Sequence, residues 1–347
     1  MIKKYALLQK SINQRLEAFF KHKTNEATGI SPFLGKLVKE KRNFVMAGGK
    51  RIRPVLFYIG YLMGDGKDKK AALDASICIE LIHNYLLVHD DIIDQDTLRR
   101  GKPTLHITYK TLIKNLSSSP EHLGTSLAIV GGDILAMYGY EALSNATFPD
   151  NKKLQAIKVL NKILSDVTIG QDLDILYASK KKVTIQEILR VAEYKTAKYT
   201  IEGPLKLGAT LAGANKGTLK VISDYALPLG IAFQIHDDIL GMFGDKKRTG
   251  KSSDSDIKQH KQNLLLLYAK EHSRGDQKKT LGGAKLTTSG IERVKKIVKD
   301  TGSLDHAQAL SRQLVEQSKG AIRKSSASKE VKEFLVELAD YIIARKS

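Results

Sequence analysis

The sequence predicts an all-α protein. Three observations carry that expectation. Apolar residues recur at three- and four-residue spacing through most of the 347 residues, while strand-like alternation is scarce. Only seven prolines interrupt the chain, so long amphipathic stretches run between them. Aromatic residues make up 6% and Trp is absent, a composition that suits helices better than a β-sandwich.

The periodic segments are 71–94, 151–177, 184–213, 220–240, 257–272 and 329–344. Counting the weaker ones predicts about ten to twelve helices. The breaks between them are legible. Gly48-Gly49 precedes Lys50-Arg51-Ile52-Arg53-Pro54, and Gly101-Lys102-Pro103 ends the helix carrying Asp90. Gly244-Asp245 and Gly250 bracket a basic loop, and 273–283 reads as a mobile surface insert. No repeat, low-complexity tract or Pro/Gly/Ser linker divides the chain, so residues 1–347 read as one domain. Hydrophobic residues at 42% supply a sizeable core.

The formal net charge is +20, which attracts anions. Lysines are spread along the whole chain and basic segments are not interleaved with aromatics, which argues against a nucleic-acid binder. An acidic membrane surface or phosphorylated substrates are the other anionic partners such a charge suits. Many lysines, however, sit near Glu or Asp on predicted helix faces, where they read as solvated surface rather than a binding patch. The single cysteine, Cys78, excludes an internal disulfide framework and points to a reducing compartment. The first twenty residues are broken by charge and lack a signal-peptide core. No uncharged apolar run reaches the ~18 residues of a membrane span. The best candidate, 126–143, carries Asp133 and Glu141. A cytoplasmic protein without a transmembrane segment is expected.

The strongest chemical signal lies at 81–94, an apolar helical run that ends in Asp90, Asp91 and Asp94. Asp90 and Asp94 are four apart and project from one face, about 40° apart around the axis. Carboxylates so placed repel each other unless a cation lies between them. Hard oxygen ligands favour Mg²⁺, completed by water and substrate phosphates. A second acidic group, Asp237-Asp238, also follows an apolar helix, with Gln234 on the same face as Asp237. Cations accompany each group: Lys50 and Arg53, Arg99 and Arg100, then Lys251 and Lys261. Guanidinium forks and ammonium charges at such places bind diphosphate oxygens.

Taken together, these stretches resemble the trans-isoprenyl diphosphate synthase (polyprenyl synthetase) family. The matching motifs are GGKRIRP at 48–54, DDIID with RRGKPT at 90–104, GQDLDI at 170–175, YKTAKYT at 194–200, FQIHDDILG at 233–241 and GKSSDSDIKQHK at 250–261. The C-terminal LADYIIARKS also fits, and the likeness runs in order from about residue 40 to the end of the chain. Two places depart from the common pattern: Gly241 stands where an acid usually closes the second motif, as in archaeal-type short-chain synthases, and GKSSDSD replaces the usual loop sequence.

The resemblance implies the isoprenoid synthase fold, a large helical bundle around a central active-site cavity, in a homodimer. It implies Mg²⁺, three ions per active site, held on an allylic diphosphate by Asp90, Asp94 and Asp237. Arg99, Lys195, Lys251 and Lys261 would grip the same diphosphate. Lys50, Arg53, His83 and Arg100 would hold isopentenyl diphosphate, and Thr196 and Gln234, beside Lys195, would face the allylic cation. Tyr85 and Leu86, the fifth and fourth residues before Asp90, would floor the product pocket. One bulky residue there resembles the type that makes geranylgeranyl diphosphate, with farnesyl diphosphate second. Rival readings are a terpene cyclase, which would not need the 48–54 cations, and a non-catalytic synthase subunit, which tends to lose the acidic motifs kept here.

Overall fold

The computed structural model describes residues 2–180, 182–244, 262–282 and 287–344. The described chain is all-α apart from one two-residue hairpin. It divides into two compact units.

The N-terminal unit spans residues 2–157 with 207–213. It contains α1 (Ile2–Ile30), α2 (Pro32–Met46), α3 (Ile52–Met63), α4 (Lys69–Ile93), the strands β1 (Leu98–Arg99) and β2 (Lys102–Pro103), α5 (Leu105–Ile113) and α6 (Pro120–Ser144). Asp68 caps α4, accepting from the Ala71 amide at 2.9 Å. Helix α4 packs chiefly on α6, with α3 and α1 also against it. Ala75, Cys78, Ile79, Leu81 and Ile82 are fully buried there.

The C-terminal unit spans 158–206 and 214–347. Helix α7 (Asp150–Ser179) begins in the first unit and runs into this one. After α8 (Ile185–Val191) the backbone continues as an eleven-residue π-helix (Ala192–Glu202), then as α9 (Gly203–Ala212) and α10 (Lys216–Phe243). Next come α11 (Leu264–His272), α12 (Gly275–Gly282), α13 (Thr288–Asp300), α14 (Ser303–Arg323) and α15 (Lys329–Ala344). Helix α10 is central, packed on the π-helix and α14. Its core side chains Ile235, Ile239 and Met242 meet Leu264, Leu265, Val294 and Val298.

Two glycines let the π-helix pack closely on its neighbours. A Cβ at Gly170 of α7 would stand 2.4 Å from the Lys195 nitrogen, and one at Gly230 of α10 would stand 2.3 Å from Ala197 Cα. Both are far inside van der Waals contact. The widened backbone thus lies directly on two helices, with no side chain between.

Five expectations change. The described residues hold fifteen α-helices and a π-helix, more than the ten to twelve helices expected. The periodic segment 184–213 is three elements, because the π-helix interrupts it. The 273–283 stretch is helical through Gly275–Gly282 rather than a loose insert. The helix carrying Asp90 stops at Ile93, well before Gly101. Among the described residues, the one helix long and apolar enough to cross a membrane is α4, not the 126–143 stretch, and 67% of its apolar window is buried inside the fold. That burial is the mark of a core helix.

Candidate active site

In the N-terminal unit the site begins at the last turn of α4. The Asp94 amide donates to the Asp90 carbonyl at 2.8 Å, so the helical turn closes through Asp94 and the two acids share a face as predicted. Asp90 is half-buried and Asp94 exposed. Asp91, about 100° further round, turns inward and is fully buried.

Arg99 lies over that buried acid. Its Nε donates to Asp91 Oδ1 at 2.7 Å and its Nη2 donates to the same oxygen. The guanidinium also stands 3.7 Å from both Asp90 and Asp96. Burial lifts the Asp91 carboxyl to about 6 against the pull of Arg99. Burial works against the Arg99 charge as well, but the Asp91 hydrogen bond and the three carboxylates more than offset it and raise the guanidinium pKa.

Arg99 and Arg100 part company at a tight turn. Leu98 pairs with Pro103 and Arg99 with Lys102. The two loop residues, Arg100 and Gly101, have φ of 55° and 73°, the left-handed pair that a two-residue hairpin needs. Arg100 is therefore swung away from Arg99, and its Nη1 donates to the Gly48 carbonyl at 2.6 Å.

That contact brings Arg100 onto the 48–54 motif. Gly48, Gly49 and Arg51 all take positive φ, and side chains of α1 clamp the bend. Gln9 donates to the Gly49 carbonyl at 2.9 Å, and the Tyr5 hydroxyl donates to the Lys50 carbonyl. Arg51 is not a ligand candidate but an anchor. It is buried, donating to Glu80 at 2.6 Å, to Asn13 at 2.9 Å and to the Val45 carbonyl at 2.8 Å. Lys50 is left exposed and Arg53 half-buried on the first turn of α3. His83 sits among these cations. Burial, then the charges of Arg53, Arg100, Arg99 and Arg51, push its imidazole well below the usual value, so it is neutral. Arg53, His83 and Arg100 thus form one cationic neighbourhood with Lys50 at its edge.

Tyr85 and Leu86 are both half-buried on α4. The Tyr85 ring meets His89 edge-on at 4.8 Å, and His89 Nε2 lies 3.1 Å from the Ile129 carbonyl of α6. Tyr85 therefore sits on the α6 side of the helix rather than in its closed core.

In the C-terminal unit, Asp174, Lys195, Thr196, Gln234, Asp238, Gln262 and Asn263 line a cavity of about 50 Å³. The Lys195 ammonium donates to Asp174 at 2.5 Å. Thr196 Oγ1 donates to Gln234 Oε1 at 2.6 Å, and Gln234 Nε2 donates to the buried Asp238 at 2.9 Å. Asp237 is half-buried on α10. The π-helix presents Lys195 and Thr196 together; such widened turns occur preferentially at functional sites. Lys251 and Lys261 lie outside the described residues.

Among the described residues, no three His, Cys, Asp or Glu side chains gather into a closed metal cage. The accessible acids of 90–94 fit an ion that takes few protein oxygens and draws the rest from water and phosphate, as Mg²⁺ does. Sequence reasoning missed Asp91, Asp174 and Arg51 as partners of the site. A helical wheel places Asp91 inward, so its burial was available from spacing; the Asp174–Lys195 pairing depends on how α7 meets the π-helix and was not.

The family model for polyprenyl synthetase matches residues 36–301. A geranylgeranyl pyrophosphate synthase of Geoglobus acetivorans is 32% identical over 336 residues, covering 97% of this chain and 96% of its own. A geranylfarnesyl diphosphate synthase of Aeropyrum pernix is 32% identical over 308 residues, covering 87% and 92%. Among solved structures, the geranylgeranyl pyrophosphate synthase of Corynebacterium glutamicum complexed with isoprenyl diphosphate and magnesium superposes with a TM-score of 0.92 at 29% identity, covering 97% of this chain and 98% of that one.

Proposed function

The chain belongs to the polyprenyl synthetase family, and from that membership we propose that it joins isopentenyl diphosphate to an allylic diphosphate to make geranylgeranyl diphosphate. The observation that carries the reading is the cationic neighbourhood of Arg53, His83 and Arg100, with Lys50 at its edge, beside the paired acids of α4. A terpene cyclase ionises one diphosphate and has no use for this second cationic place.

In this reading Lys50, Arg53 and Arg100 hold the diphosphate of isopentenyl diphosphate, and neutral His83 adds a hydrogen bond rather than charge. Asp90, Asp94 and Asp237 hold Mg²⁺, which when bound neutralises the leaving diphosphate; three ions per site is part of the proposal. Arg99 and Lys195, with Lys251 and Lys261, grip the allylic diphosphate. The allylic C–O bond breaks with its electron pair leaving on diphosphate. The double bond of isopentenyl diphosphate attacks the cation, and the departed diphosphate takes a proton from the adduct, whose C–H electron pair restores the alkene. Thr196 and Gln234, hydrogen-bonded to each other at 2.6 Å, would face the cation and stabilise it through their oxygen dipoles. No side-chain nucleophile takes part.

The family match spans parts of both compact units, which supports treating the chain as one catalytic domain. A homodimer is supported by the exposed apolar residues Ile129, Val130 and Met137 along α6. A cytoplasmic setting suits the lone buried thiol of Cys78.

The test is chromatography of products from purified protein, Mg²⁺, isopentenyl diphosphate and each of dimethylallyl, geranyl and farnesyl diphosphate. Geranylgeranyl diphosphate is the expected end product. Turnover of an allylic diphosphate without consumption of isopentenyl diphosphate would overturn the reading in favour of a cyclase. The Aeropyrum pernix relative supports a second reading, a product one isoprene unit longer, which the same chromatogram resolves.

A further inference from the structure

We propose that Asp91 is a positioning residue: it acts through Arg99, holding the guanidinium in register with the metal-facing acids, and is not itself a metal ligand. The proposal rests on the reading of Arg99 as a grip for the allylic diphosphate.

Three observations carry it. Asp91 is fully buried, whereas Asp90 and Asp94 on the same turn reach solvent. A metal ion that keeps part of its water shell has no access to such a carboxylate. Asp91 Oδ1 takes two donors from one guanidinium, Nε at 2.7 Å and Nη2, so it fixes the plane of Arg99 and not merely its distance. Finally, the Asp96 amide donates to the Asp91 carbonyl at 2.9 Å, and Thr104 Oγ1 donates to the Asp96 carbonyl at 2.9 Å. The backbone leading from α4 into the hairpin is thereby tied to the residue that holds the hairpin's arginine.

Arg99 needs such a holder. It stands 3.7 Å from both Asp90 and Asp96, two acids that would otherwise compete for it. Captured by Asp90, it would occupy a carboxylate the metal needs. Held by Asp91, it keeps its remaining guanidinium edge for phosphate oxygens. A carboxylate at position 91 therefore takes the arginine's hydrogen bonds and leaves Asp90 beyond hydrogen-bond distance of it.

The experiment is a double-mutant cycle with Asp91→Asn and Arg99→Ala, read in kcat/KM for the allylic diphosphate and in the Mg²⁺ concentration giving half-maximal rate. Asparagine keeps the shape and one acceptor oxygen but loses the charge. Expected is a roughly tenfold fall in kcat/KM for Asp91→Asn alone, less than about twofold in the Arg99→Ala background, and an unchanged Mg²⁺ midpoint. Additive losses in the cycle, or a Mg²⁺ midpoint raised severalfold as in Asp90→Asn, would overturn the proposal. If Arg99→Ala leaves the allylic substrate unaffected, the diphosphate role of Arg99 fails instead. The positioning claim is then judged by a crystal structure of Asp91→Asn, in which an unmoved Arg99 side chain overturns it and a displaced one upholds it. Should Asp91→Asn not fold, Arg99→Lys replaces it, keeping the charge but losing the fork; it should lower kcat/KM about tenfold with the Mg²⁺ midpoint unchanged, and a shifted midpoint counts against the proposal.

Discussion

Three aspartates within five residues at the end of α4 have three environments: Asp90 half-buried, Asp91 closed off, Asp94 exposed. Spacing alone gave the shared face of Asp90 and Asp94, and with it the most direct test. Asp90→Ala or Asp94→Ala should lower kcat by more than about a thousandfold, since each removes charge stabilisation used only as the leaving group departs. Steady-state rates at saturating Mg²⁺, on variants whose circular dichroism is unchanged, check this. Arg53→Ala and Arg100→Ala should raise KM for isopentenyl diphosphate more than KM for the allylic partner, because both belong to the His83 neighbourhood; initial rates varying each substrate separately read the difference. Tyr85→Ala should lengthen the products if its ring, set against His89 on the α6 side, stops the growing chain, and product chromatography decides. What spacing could not supply at this scale was partnership. Arg51 stands between Lys50 and Arg53 in the 48–54 motif, yet its buried pairing with Glu80 spans 29 residues and depends on how α3 meets α4.

Among the elements, the π-helix is the feature that periodicity could not reveal. A hydrophobic repeat read over 184–213 is compatible with one long helix, because an i→i+5 stretch alters the phase by only part of a turn. Its placement depends on Gly170 and Gly230, whose missing side chains admit the backbone of Lys195 and Ala197. Gly230→Ala should accordingly destabilise the fold by about 1–3 kcal/mol, the usual cost of overpacking, and should lower activity beyond that loss by displacing Thr196 from Gln234. Urea denaturation beside kinetics separates the two effects. The Thr184–Glu187 capping box is a local pattern, whereas the stop of α4 at Ile93 owes nothing to a nearby Gly or Pro. It coincides with the tertiary hold of Asp91 on Arg99 and with the backbone bond from Asp96.

For the whole molecule, the exposed side chains of Ile129, Val130 and Met137, at 43%, 63% and 59%, lie at spacings that keep them along one side of α6. If that side joins two copies, Met137→Glu should shift the protein from dimer to monomer in sedimentation velocity, because a charge in the middle of an apolar contact must be desolvated. A variant that sediments unchanged would place the contact elsewhere. Burial of α4 carries a different consequence, one that concerns how the molecule is made. In the finished fold most of its apolar window is covered, chiefly by α6. On the ribosome, α4 is complete about fifty residues before the end of α6 emerges. During that interval the nascent chain displays a 25-residue segment with the hydropathy of a membrane signal, and its safety rests on chaperones and on the speed of synthesis rather than on the fold. The core helix that organises the N-terminal unit is thus also its point of greatest exposure to mistargeting and aggregation while the chain is still growing.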